Sequence, residues 1–266
     1  MTRITIGQYY PVNSPIHRVD ARIKLIAVFM HITALLLVNN FVGYGIAALY
    51  VLAIIWASRV PPTFMLRGLR AIIFILMFAI IINLFFAPGY NILFQFGFLR
   101  ITTEGILQSA KMASRLVLLI TGTSVLTLTT SPIRLTDGIE SLLKPLKLIK
   151  VPAHDIAMMM TIALRFIPTL ADEMQKIMKA QKARGANFDT GSLLKRAKSL
   201  IPVLVPLFVS SFKRADELAT AMEARCYRGD INRTKMNPMK MTPADILSLG
   251  VISAVTAAII LTRFIF

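Results

Sequence analysis

Cysteine is almost missing from this sequence, with Cys226 alone among 266 residues. One thiol makes neither an internal disulfide nor a Cys-based zinc site. Histidine is nearly as scarce: His17, His31 and His154 stand far apart with no partner at metal-ligand spacing, so no metal site is expected. Charge is thin, at 16% of residues against about a quarter in an ordinary soluble domain. Acidic residues are the rarer sign, 13 against 30 Lys and Arg, for a formal net charge of +17. No acidic pair sits inside an apolar run. There is no His-Glu-x-x-His and no Gly-x-Ser-x-Gly. The loop from Gly185 to Ser192 has two glycines but no lysine after the second, so nothing cradles nucleotide phosphates. No catalytic residue and no cofactor of its own are expected. Energy for any driven process must come from another chain.

What the sequence has is hydrophobicity, 56% of residues, gathered into runs. Five stretches approach the roughly 20 apolar residues that a bilayer crossing needs: Leu25–Asn39, Phe41–Ala57, Leu69–Ala87, Ile106–Thr129 and Ile246–Ile265. The first two are short. The Asn39-Asn40 break, with Gly43 and Gly45 after it, reads as a tight hairpin between them. The chain opens polar, and its first apolar run begins only after Arg22 and Lys24, so no cleavable leader is expected.

The positive charge is placed by topology. Nineteen of the 30 basic residues and 10 of the 13 acidic ones lie between Ser131 and Thr242. Most of the others fall in two short segments, Arg3 to Lys24 and Arg59 to Arg70, while the opposite loops hold only Arg100. This is the positive-inside pattern: N-terminus cytoplasmic, C-terminus outside. Basic loops beside anionic lipid explain the high charge without nucleic acid.

The sequence therefore reads as an all-α polytopic membrane protein with about five transmembrane helices. Residues 1–130 hold spans one to four, 131–242 form an extramembrane insert, and 243–266 are the final span. The insert is patterned. After Ser131-Pro132, Leu135, Ile139, Leu142, Leu143 and Leu146 recur at helical spacing. A long helix is predicted from Ala153 to about Arg184, and a second from Ser192 to about Arg225. The apolar stripe of the second includes Leu194, Ile201, Leu204, Phe208, Phe212, Leu218 and Met222. Pro168 falls in the first, and Pro202 and Pro206 in the second, as kinks or divisions. A short link makes the pair an antiparallel hairpin, with the arginine ends tens of ångströms apart. Leu200–Val209 is apolar nearly all round and needs cover, from the membrane helices or from a partner.

The two long helices end alike. One closes on Ala183-Arg184-Gly185 and the other on Ala224-Arg225-Cys226, each with an alanine three residues before its Ala-Arg pair. Two readings are open. A basic residue followed by Gly is an ordinary helix stop. Alternatively, the two ends are equivalent docking points for the halves of a dimeric partner, where arginine's planar fork grips a carboxylate. Lys111 and Arg115, within the fourth span, also have two readings. Lys111 reaches the outer interface while Arg115 bonds inside the bundle, or the two meet a partner protein.

The doubled helix end resembles the signature of the transmembrane T component of energy-coupling-factor importers, which take up vitamins and metals in prokaryotes. Similar too are Ser14-Pro15-Ile16-His17-Arg18-Val19-Asp20-Ala21-Arg22-Ile23-Lys24, Thr129-Thr130-Ser131-Pro132 and Leu164-Arg165-Phe166-Ile167-Pro168. The likeness covers nearly the whole chain. It implies an inner-membrane, non-catalytic subunit whose insert is a pair of cytoplasmic coupling helices. Arg184 and Arg225 would dock these into two ABC-type ATPase subunits, where the ATP is held. A small membrane-embedded S component would capture the substrate. Its expected contact is the apolar segment carrying Leu200, Pro202, Val205, Pro206, Phe208, Val209 and Phe212. Cys226 departs from the family's glycine; since Cys resists the left-handed conformation, the helix is expected to run on to Gly229. A self-contained permease or channel is the competing reading. It would call for polar residues along the spans, which offer mainly Asn83, Lys111 and Arg115.

Overall fold

A computed structural model describes residues 9–86, 92–96, 99–188, 192–229, 239 and 241–265. Arg3, the loop from residue 87 to 91 and the end of the 186–191 link lie outside the described residues. The described chain is almost entirely helical. Its elements are α1 (Pro15–Arg18), α2 (Ala21–Leu37), α3 (Phe41–Ser58), α4 (Pro62–Phe86), β1 (Ile92–Phe96), β2 (Leu99–Thr102), α5 (Thr103–Thr129), α6 (Pro132–Leu143), α7 (Ala153–Ala183), α8 (Leu193–Ser199), α9 (Ile201–Ala224) and α10 (Pro243–Ile265). A 3-10 turn, Lys144–Ile149, joins α6 to α7. The chain divides into two units, a bundle of residues 7–141 and 238–266, and a hairpin within residues 142–237.

In the bundle, α3, α5 and α10 are each long and apolar enough to cross a membrane, and α4, bent by 58°, makes a fourth if its halves are one span. The protein is an all-α polytopic membrane protein. The shorter α2, 17 residues, packs its Ala34 and Leu35 into the core with Tyr44, Ala47, Val51, Leu118 and Ile259.

Small residues and caps set this packing. Asn40 caps α3 by accepting from the Gly43 N–H at 3.1 Å, and its Nδ2 donates to the Thr262 carbonyl on α10. Gly43 lies where a Cβ would clash with Val38 and stand 2.8 Å from Thr262 Oγ1, so α2, α3 and α10 meet at a point that only glycine fits. The β1–β2 ribbon between α4 and α5 was not expected. Its apolar first strand, Ile-Leu-Phe-Gln-Phe, is short and lacks a clean alternation.

In the hairpin, α7 runs antiparallel to α9. Glu173 pairs with Ser210 and Arg214, whereas Gln181, eight residues on, reaches back to Pro202. The second helix is not continuous from Ser192, as the periodicity predicts. It breaks at Leu200 into α8 and α9, because Pro202 has no N–H to give the Lys198 carbonyl and its ring crowds that turn. Pro168 and Pro206 stay inside continuous helices. Pro206 leaves the Pro202 carbonyl without its helical donor, and Gln181 Nε2 lies 3.4 Å from that oxygen.

Candidate functional site

The two arginine ends have one backbone geometry. In α7, Gly185 is left-handed at φ 88°, its N–H donates to the Lys182 carbonyl at 3.0 Å, and the Ala186 N–H donates to the Gln181 carbonyl at 2.9 Å. In α9, Cys226 is left-handed at φ 54°, its N–H donates to Glu223 at 2.8 Å, and the Tyr227 N–H donates to Met222 at 3.0 Å. Both are Schellman closures with arginine at the C-cap. The expectation that Cys226 pushes the second helix on to Gly229 is thus corrected: α9 ends at Ala224, and Cys226 takes the glycine-like conformation itself. Two closing hydrogen bonds outweigh its steric cost, about 1 kcal/mol for a non-glycine residue.

Position follows from the antiparallel pairing. Arg184 lies at the end of the hairpin where α7 meets Pro202, and Arg225 at the end where α9 meets Met158. About 35 Å of helix separates these ends at 1.5 Å per residue. Both side chains are exposed. An open pocket of about 610 Å³ beside Arg225 is walled by Met158, Thr161, Met222 and Tyr227. So the fold does not bring the arginines together; it presents them separately, in matching local frames.

The hairpin is held at its middle by Glu173, which accepts from Ser210 Oγ at 2.5 Å and from Arg214 Nη2 at 3.1 Å. The serine hydroxyl first, then the arginine, hold the Glu173 carboxyl below its ordinary range. The apolar stripe predicted along the second helix divides here. Leu218 and Met222 turn to Ile162, Phe166 and Leu170 of α7. Phe208 and Phe212, 61% and 74% exposed, point away with Val205, Val209, Pro202 and Pro206, and Leu200 is exposed at the break. Val203, 2% exposed, is the buried counterpoint on α9.

Arg115 is met inside the bundle. Its Nη2 donates to the Val38 carbonyl at 2.9 Å and to Asn39 Oδ1 at 3.1 Å, and its Nε to Tyr44 Oη at 3.1 Å. Lys111 sits over the Phe41 ring, 5.7 Å from its centre. Sequence reasoning missed how Asp20, Arg22 and Asp245 come together, since nothing local pairs residues 225 positions apart.

Residues 12–236 match the family described as cobalt transport protein. Across 263 residues, 99% of this chain and 98% of the relative, the sequence is 54% identical to the energy-coupling factor transporter transmembrane protein EcfT of Ruminiclostridium cellulolyticum. It is 51% identical, over the full length of both, to the protein of the same name from Thermosediminibacter oceani. With that of Clostridium kluyveri it shares 53% over 92% of the chain and 91% of the relative. The chain belongs to this transporter family. It is a multi-pass transmembrane component of an energy-coupling factor transporter.

Proposed function

We propose that this chain is the non-catalytic coupling subunit of its transporter. Arg184 and Arg225 each dock one of two ABC-type ATPase subunits, and the exposed α9 face from Leu200 to Phe212 receives a membrane-embedded S component that carries the substrate, a vitamin or another micronutrient. ATP is bound by the ATPases and no cofactor by this chain. The hairpin faces the cytoplasm, with the N-terminus inside and the C-terminus outside.

One observation carries the reading: two exposed arginines at opposite ends of one antiparallel hairpin, each set by the same Schellman closure. The closure alone is a common helix end; the support lies in an exposed arginine at the C-cap of both. Two equivalent subunits need two equivalent contacts, and a guanidinium buried against a carboxylate at an interface is worth about 2–4 kcal/mol when lost. Arg115 supports the reading from the bundle side. Its guanidinium is tied by hydrogen bonds to the α2–α3 turn, as a residue that holds the bundle together would be.

The test is a mild-detergent purification of the chain from its native membrane, with bound proteins identified by mass spectrometry. Wild type is expected to bring two ATPases and one or more small membrane proteins. Arg184→Glu and Arg225→Glu together should remove the ATPases while the chain still inserts. Full retention of the ATPases by the double variant overturns the docking assignment. Recovery of wild type alone, in a preparation that preserves other membrane complexes, would favour the self-contained permease.

A further inference from the structure

The chain leaves the bundle after Ser141 and is back in it by Met239, so the hairpin is strung between two crossings 98 residues apart in sequence. One side chain touches both. Arg22 Nη1 lies 3.4 Å from Ser141 Oγ, and its Nη2 lies 3.4 Å from the Met239 carbonyl. The same guanidinium grips Asp20, through Nη2 at 2.8 Å and Nε at 3.1 Å.

Asp20 is fixed in turn. Its carboxylate caps α2 by accepting from the Arg22 N–H at 2.8 Å, and its own N–H donates to Asp245 Oδ1 at 2.8 Å. Asp245, 2% exposed at the start of α10, accepts with its other oxygen from the Thr242 N–H and hydroxyl, both at 2.8 Å. Burial opposes a charge on Asp20, but the hydrogen bonds from Arg22 hold its carboxyl below the ordinary range.

We propose that Arg22 is a positioning residue: with Asp20 and Asp245 it forms a clasp that fixes both crossings to α2 and α10. Motion of the hairpin is then delivered to those helices and is not absorbed at the crossings. This rests on the coupling role proposed above.

The chemistry suits arginine. Five donors in a rigid fork can serve a carboxylate, a hydroxyl and a carbonyl at once, whereas a lysine ammonium is a point charge on a flexible stem. The two 3.4 Å contacts are individually weak. Their importance is that they converge on a group already locked by a carboxylate. A cap whose only task was to stabilise α2 would need Asp20 and the α2 backbone, and nothing from residues 141 and 239.

The experiment places spin labels at Leu148, beyond the first crossing, and at Leu49 on the exposed side of α3, in a Cys226→Gly background of the full chain. Pulsed-EPR distances are measured on the transporter complex in lipid nanodiscs, with ATP hydrolysis assayed on the same samples. A single sharp distance is expected with Arg22. That peak should be lost to a broad distribution in Arg22→Ala, with ATP hydrolysis per complex retained. Arg22→Lys keeps the pairing with Asp20, and so the cap of α2, yet should still broaden the peak. A sharp, unshifted peak in Arg22→Lys overturns the clasp, whether or not Arg22→Ala folds. If no ATPase accompanies even the wild-type chain, the coupling reading fails. The label distances in the chain alone still decide whether Arg22 holds the crossings.

Discussion

Both units expose large aromatic and aliphatic side chains, but the exposure means different things in each. On the bundle, Trp56 and Phe74 stand outward from helices with almost no charge, and a bilayer is the natural solvent for them. On the hairpin, Phe208 and Phe212 belong to a helix that also carries Lys213, Arg214, Asp216, Glu217 and Glu223, and it packs on α7 with Asp172, Glu173, Lys176 and Lys179. Such helices do not sit in hydrocarbon. On the function proposed above, an exposed phenylalanine faces lipid in one unit and a protein partner in the other. The charge on its own helix decides which.

The units also differ in how they are held. The bundle closes around a shared apolar core and glycine contacts, so its sharpest weakness is steric. Gly43→Val should be the most damaging substitution, costing about 3 kcal/mol because the side chain would enter the meeting point of α2, α3 and α10. Thermal unfolding in detergent, followed by size exclusion, would show it as a lower midpoint and aggregated material. An unchanged midpoint would mean that the three helices can part there, and that the bundle is no tighter than the hairpin.

A matched pair of variants tests the meaning of exposure directly. Phe74→Asp puts a charge into the middle of α4, at a cost of about 3 kcal/mol for a residue central to a span. Phe208→Asp, on a face already beside charged helices, should shift folding by less than about 0.5 kcal/mol. The expected readout is reduced membrane insertion for the first, and for the second normal insertion with loss of the membrane-embedded partner. Equal loss of insertion in both would place α9 in hydrocarbon and undo the distinction.

The parts legible in sequence are those in which cause and effect lie close together along the chain. Apolar runs located α3, α5 and α10 to within about three residues, but the third run starts seven residues inside α4, and the first falls on α2, a 17-residue helix that is not among those long and apolar enough to cross. The hairpin followed from a short link between two periodic segments, and the paired arginines from one motif written twice. The parts not legible depend on what meets what. Whether Pro202 or Pro206 breaks the second helix depends on what each residue finds around it: Gln181 sits by the carbonyl that Pro206 strands, whereas Pro202 falls where α8 ends. Arg115 could be assigned inside the bundle only once the α2–α3 turn was seen over it. Asp20, Arg22 and Asp245 each have a local reading as a cap or a solvated charge, and only the fold joins them.

Cys226 gives the finest comparison, between two ends of one hairpin. Gly185 and Cys226 occupy the same place in the same closure, at φ 88° and 54°, but glycine enters the left-handed region without steric penalty and cysteine does not. Space is no obstacle to the exchange, because a Cβ built on Gly185 meets no atom within 4 Å. The difference should therefore be purely conformational. Cys226→Gly is expected to stabilise the end of α9 by about 0.5–1 kcal/mol, and Gly185→Cys to destabilise the end of α7 by a similar amount. Hydrogen exchange at the Cys226 and Tyr227 amides, which make the closing bonds, would report the first change; that at Gly185 and Ala186 would report the second. If Cys226→Gly instead speeds exchange, the thiol must contribute a contact that offsets the strain, and the second arginine would owe its placement to cysteine itself. If the two exchanges mirror each other, the arginine frame depends on the backbone alone, and cysteine is simply the costlier way of building it.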